Sequence, residues 1–171
     1  MQIIKLAAVL ITTGSLEVFA EQPTRRIVVS IPDRKLALIT NDGVVKVYPI
    51  AVGKAETPSP TGSFRVVSRV IDPTWYTKGK IVPPGPANPL GNRWIGLSEK
   101  GYGIHGTNVQ NSVGHAASHG CIRMRKADVE ELFKLVEIGD PVEFRDEVSA
   151  IAFGLAQQPA VNEITEVGES Q

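Results

Sequence analysis

The single cysteine of this chain, Cys121, and all three of its histidines, His105, His115 and His119, fall between positions 105 and 121. From Gly103 to Met124 the sequence reads GIHGTNVQNSVGHAASHGCIRM, with glycine beside the reactive types at Gly103, Gly106 and Gly120. A glycine lets the backbone turn sharply and approach a ligand closely. A cysteine that follows one can sit on a turn whose N–H groups share one concavity, and such donors hold the oxyanion that forms when sulfur attacks a carbonyl. A neutral imidazole close by takes the thiol proton. Spacing alone leaves the base open. His119, two residues before Cys121, shares its face on an extended strand, whereas His105 ends a short strand from Tyr102 and reaches the turn only through a returning loop.

Two other readings of these residues exist. A free cysteine is often a small buried hydrophobe, but flanking His and Gly suit a reactive site better than a packed strand. His115, His119 and Cys121 form an H-x-x-x-H-x-C pattern whose types suit zinc. Between His105 and Cys121 there is no Asp or Glu, and no second cysteine completes a soft ligand set. No metal or cofactor is therefore expected, and a chelator is expected to leave activity and melting temperature unchanged. His115 reads as an ordinary loop histidine.

Positioning these groups falls to short strands with strong turns between them. Arg26 to Ile31 is β-branched and apolar, and Pro32-Asp33 turns the chain. Lys35 to Thr40 alternates, Asn41-Asp42-Gly43 forms a hairpin turn, and Val44 to Val52 supplies the partner strand. Gly62 to Val70 alternates again. Prolines exclude Thr57 to Thr61 and Val82 to Gly91 from any sheet interior. The second of these, with four prolines, reads equally as a surface connection or as a rigid lip beside a cleft. Only Lys126 to Val136 has helical spacing, carried by Val129, Leu132, Phe133 and Val136, and Gly139 and Pro141 stop it. Its N-terminus favours a thiolate at Cys121 if the intervening chain is short in space. Val142 to Phe144 reads as a last strand. The expected fold is mainly β, a twisted mixed β-sheet sandwich with one principal helix after the cysteine.

Residues 1–20 combine one lysine, a short apolar run from Leu6 to Ile11 and the ending Val18-Phe19-Ala20, a pattern of secretory signals. The run is too short for a bilayer core of about 30 Å. The expected organisation is a signal over 1–20, a catalytic domain over 21–148 and a polar, mobile tail over 149–171. The mature chain is then periplasmic or otherwise exported, with no transmembrane segment. Eighteen basic residues balance eighteen acidic ones, which gives no electrostatic reason for a nucleic-acid partner. An oxidising compartment makes an unpaired cysteine informative, because structural cysteines there are paired.

Ile104-His105-Gly106-Thr107, followed by Ser118-His119-Gly120-Cys121-Ile122-Arg123-Met124, resembles the signature of the L,D-transpeptidase catalytic (YkuD) domain. The likeness extends through Tyr48 to Gly53, Thr57 to Gly62, Pro84 to Gly91 and Gly139 to Val142, covering about residues 26 to 145. It implies a sheet-rich domain in which the cysteine forms a thioester with a peptidoglycan stem peptide, with no cofactor. By position it makes Cys121 the nucleophile and His105 the base. His119 orients the site, and the N–H groups of Gly120 and Cys121 hold the oxyanion. Arg123 holds a substrate carboxylate, with Ser118, Gly106 and Thr107 beside the substrate. The acyl group then passes to a stem amine as a wall cross-link, to a wall-linked lipoprotein, or to water. Val109-Gln110-Asn111, where many relatives carry proline, and His115 depart from the family pattern.

Overall fold

A computed structural model describes residues 25–41 and 43–154. Its strands begin with β1 (Arg26–Ser30), β2 (Lys35–Thr40), β3 (Gly43–Pro49), β4 (Val52–Gly53) and β5 (Gly62–Ile71). A small hairpin follows, β6 (Trp75–Thr77) with β7 (Lys80–Val82), and then β8 (Arg93–Leu97), β9 (Gly103–His105), β10 (Ala116–Ser118) and β11 (Ile122–Arg123). The helix α1 (Lys126–Leu135), the strand β12 (Pro141–Arg145) and the short helix α2 (Ser149–Ala152) close the described chain.

Eight strands form one mixed, curled sheet in the order β11-β9-β8-β5-β12-β1-β2-β3. The β2–β3 hairpin is the one its turn residues predict, with Gly43 at φ 111°. β12 inserts between β1 and β5, parallel to the first and antiparallel to the second. The fold is thus strand-rich with one principal helix, as the pattern predicts. The long partner strand expected from Val44 to Val52 divides in two. Ile50 N–H leaves the β2 ladder for the Arg34 carbonyl at 2.9 Å, and Ala51 bridges to Arg123 beside the site.

Both faces of the central strands are covered, which explains their nearly continuous apolar runs. Ile27, Val29, Leu36 and Leu38 face the main core with Ile95, Ile104, Ile122, Phe144 and the α1 residues Val129, Leu132 and Phe133. Val28, Ala37 and Ile39 face the other way, onto Ala152 and Phe153 of the α2 segment. That segment lies where periodicity was expected to end. Four residues are too few to display a helical period, and burial of Phe153 holds them in place. Among the described residues no helix is long and apolar enough to cross a membrane. The expected signal (1–20) and residues 155–171 of the expected tail lie outside the described residues.

Candidate active site

Sheet register places the site. Ile95, Ile104 and Ile122 pair side by side across β8, β9 and β11, and all three are fully buried in the core. Side chains alternate along a strand. One residue along, the row Trp94–His105–Arg123 therefore projects from the opposite face. Cys121, next to Ile122, joins that face where β11 begins. The two segments that spacing could not bring together are thus adjacent strands.

His105 is 4% exposed. Its Nδ1 lies 2.5 Å from the Gly106 carbonyl. A carbonyl only accepts, so Nδ1 carries the proton of the neutral ring and Nε2 keeps its lone pair. Burial pushes the imidazole down to about 4, against the Gly106 and Leu90 carbonyls, with Arg123 adding to the depression. At neutral pH the ring is an uncharged base.

Trp94, which the sequence reading passed over, stacks on this imidazole with ring centroids 5.6 Å apart and planes at 22°. Two paired glycines make room for the indole. A Cβ at Gly103 would lie 2.6 Å from Trp94 Cη2, and one at Gly96 would lie 2.8 Å from its Nε1. The trace of this in the sequence is the alternation of Trp94 with Gly96 and Gly103 with His105. Gly103→Ala is expected to displace the indole, at about 1–3 kcal/mol for overpacking. A urea melt and a turnover assay are expected to show both stability and activity reduced.

Cys121 is partly exposed, and Sγ hydrogen bonds to the Gly101 carbonyl at 3.5 Å. Burial pushes its thiol up, opposed by the Gly103 N–H and by Arg123. Burial therefore favours the neutral form of both the thiol and the imidazole. Arg123 is half-buried, and burial pulls its guanidinium down from the ordinary value. Among the described residues it has no carboxylate partner.

The turn carrying Cys121 is built by Ser118 and by the Thr57–Ser59 loop. Ser118 Oγ donates to the Cys121 carbonyl at 2.6 Å and accepts the Gly120 N–H at 3.0 Å. Through that second bond Gly120 N–H, one of the two anticipated oxyanion donors, is engaged within the turn, whereas Cys121 N–H has no hydrogen-bond partner among the described residues. Gly120 instead permits the turn, at φ 107°, where a Cβ would meet Tyr102 Cε1 at 2.6 Å. Ser59 Oγ donates to the Gly120 carbonyl at 2.8 Å and accepts the Gly53 N–H at 2.9 Å. The proline-rich loop is thus the scaffold of the Cys121 turn.

His105, Ser118, His119, Cys121 and Arg123 line one cleft of about 370 Å³, walled by Trp75, Thr77, Pro89 and Leu90. A second cleft of about 650 Å³ reaches Cys121 from the side of Trp75, Tyr76 and Trp94. Val82 to Gly91 therefore forms a lip. Asn88 stiffens it, with Nδ2 donating to the carbonyls of Pro73 at 2.7 Å and of Val82 and Pro83 at 3.2 Å. His119 is exposed at the cleft rim. Gly106 and Thr107 are not in the cleft lining: Gly106 orients His105, and Thr107 faces a separate cavity. The N-terminus of α1 also borders that cavity through Lys126, which is not among the residues lining the Cys121 cleft. Among the described residues no three His, Cys, Asp or Glu side chains gather as a metal-ligand set, so His115, His119 and Cys121 do not form one.

The strand-rich domain thus presents on one sheet face a cysteine, a buried histidine and an arginine that has no carboxylate partner among the described residues. The family model of the L,D-transpeptidase catalytic domain matches residues 24–144, and the chain belongs to that family. It is 45% identical over 117 residues to the putative L,D-transpeptidase YkuD of Bacillus licheniformis, covering 68% of this chain and 63% of that protein. It is 40% identical over 126 residues to the putative L,D-transpeptidase YqjB of Bacillus subtilis, covering 71% of each. The chain thus spans just under two thirds of the first relative and somewhat more of the second. Among solved structures, the C442S mutant of the Enterococcus faecium L,D-transpeptidase is 27% identical with a TM-score of 0.61, covering 72% of this chain and 50% of that one, and the Ldtfm–avibactam carbamoyl enzyme is 29% identical with a TM-score of 0.62.

Proposed function

We propose that this chain is an exported L,D-transpeptidase that joins peptidoglycan stem peptides through a thioester at Cys121. The observation that carries the reading is the place of Cys121, where two clefts meet, on the same sheet face as a buried neutral imidazole and a guanidinium without a carboxylate partner among the described residues. One cleft suits the acyl donor and the other the acceptor. As His105 takes the thiol proton, Cys121 attacks the carbonyl joining the third residue of a tetrapeptide stem to its terminal D-Ala. The Cys121 N–H faces the oxyanion, and the guanidinium of Arg123 holds a substrate carboxylate. The imidazolium protonates the leaving amine, and D-Ala departs. A second stem's side-chain amine attacks the thioester, His105 removes its proton, and the thiol is restored. The thioester retains the energy of the broken amide, so no nucleotide is consumed. The signal pattern read over residues 1–20 supports export as the setting of this chemistry.

Incubation with purified disaccharide-tetrapeptide, with products identified by mass, tests the proposal. A dimer lacking one D-Ala is expected. Tripeptide alone would assign the second half-reaction to water, and no product from a folded protein would overturn stem cross-linking. The same thiol is expected to open a carbapenem ring and keep it as an adduct. Intact mass is expected to rise by one carbapenem in the wild type and to stay unchanged in Cys121→Ala.

A further inference from the structure

The cavity that Thr107 faces lies beyond the Pro89–Gly91 segment from the Cys121 cleft, and the catalytic scheme does not use it. Its volume is about 490 Å³, inside the range of about 300–1,000 Å³ usual for small-molecule sites. Asp72, Asn92, Thr107, Asn108, Gln110 and Lys126 line it, and among the described residues Pro86 is its only apolar side chain. One carboxylate offsets one ammonium. What remains is a set of neutral amides and a hydroxyl, each able to donate or accept. Such a lining suits a ligand rich in hydroxyl and acetamido groups. With Asp72 offsetting Lys126, it gives an anion no net attraction.

The amides are set before any ligand arrives. Gln110 Nε2 donates to the Thr107 carbonyl at 2.6 Å, while its Oε1 accepts the Lys126 N–H at 3.3 Å. Asn92 Nδ2 donates to Glu130. Asn108 Nδ2 donates to the Ala87 carbonyl at 3.3 Å, which among the described residues leaves its second amide hydrogen and its oxygen to a ligand. The floor allows no side chain: Gly91 sits at φ 65°, and a Cβ there would lie 2.8 Å from the Gly106 backbone.

Asp72 connects this cavity to the chemistry, because it also lines the larger cleft that reaches Cys121 past Trp75 and Tyr76. Resting on the proposed stem-peptide reaction, we infer that this cavity is a saccharide subsite for the N-acetylated amino sugar at the far end of the donor stem. With the third stem residue at Cys121, the rest of the stem runs away from sulfur along the Trp75–Tyr76 cleft. Three extended residues span about 10 Å, and the sugar follows them.

The test compares disaccharide-tetrapeptide with the same tetrapeptide lacking sugar, on the full chain and on two variants of the exposed Asn108. The wild type is expected to favour the glycosylated substrate about ten-fold in kcat/KM, through KM, as two or three added hydrogen bonds would give. Asn108→Ala is expected to reduce that preference about three-fold, and Asn108→Trp, which fills the cavity, to abolish it. Both variants are expected to turn over the sugar-free tetrapeptide at the wild-type rate. Equal use of both substrates by the wild type, or parallel loss on both in the variants, would overturn the subsite. If neither substrate reacts, the stem reading fails separately, and titration with free disaccharide followed by NMR decides the subsite. Shifts of the Asn108 and Gln110 side-chain amides would support it, and unmoved amides would refute it.

Discussion

Cys121→Ala is expected to fold as the wild type does and to lose turnover by about four to six orders of magnitude, the loss typical of removing a nucleophile. The two halves of that expectation rest on different observations. Folding should survive because Sγ is partly exposed and its hydrogen bond to the Gly101 carbonyl is long, at 3.5 Å. The turn is held by other atoms, through Ser118 Oγ and Ser59 Oγ. Activity should vanish because the other groups of the cleft, His105, His119, Ser118 and Arg123, only assist. No second thiol exists, and Ser118 Oγ is engaged on both sides within the turn. Matching thermal melts alongside a turnover assay check both halves, and substantial activity in the variant would remove Cys121 from the reaction.

His105 gives the second large effect, and its sign depends on pH. His105→Asn is expected to cost about 10²–10⁴ in turnover as the base is lost. Because burial holds the folded imidazole at about 4, the base stays unprotonated well below neutral pH. Wild-type kcat/KM is expected to hold to about pH 5 and to fall only as pH nears 4. Stability behaves differently. An unfolded histidine titrates near 6.5, so below that pH the unfolded chain takes up a proton that the folded chain refuses. The depressed folded value therefore leaves stability intact above pH 6.5 and erodes it as pH falls toward 4. The gap of about 2.5 pH units, at about 1.36 kcal/mol each, amounts to about 3 kcal/mol once both states are protonated. Urea melts at pH 7 and pH 4.5 are expected to show the wild type losing about 2–3 kcal/mol more than His105→Asn. Equal losses would mean that His105 is not a buried neutral base.

What the sequence disclosed was local. The Asn41-Asp42-Gly43 hairpin, the α1 face of Val129, Leu132 and Phe133, and the clustering of His105 with Cys121 all lie within one turn, one helix or one short segment. What it withheld depends on which strands become neighbours. Nothing in Trp94 itself announces an imidazole stacked on it, because the stacking follows from β8 pairing with β9 and from glycines at 96 and 103 on the same face. The insertion of β12 between β1 and β5 joins the two ends of the domain, and no local pattern predicts it. Gly120 shows a subtler limit. Its position suggested an oxyanion donor, yet the Ser118 hydroxyl two residues earlier captures its N–H. A side chain's competition for a backbone donor is decided by turn geometry, which residue types alone do not specify. Asn88 was hidden for a similar reason: a buried amide bridging three carbonyls looks, in sequence, like one more polar residue in a proline-rich loop.

The central claim is that the stem is carried on Cys121 itself. Its most direct test is to mix the protein with disaccharide-tetrapeptide, quench in acid within the first turnover and measure the intact protein mass. The account predicts a species heavier by the disaccharide-tripeptide acyl group, located on the peptide containing Cys121, destroyed by hydroxylamine and missing from Cys121→Ala. Cross-linked product formed in equal amount by Cys121→Ala, or an acyl group found on another residue, would contradict it.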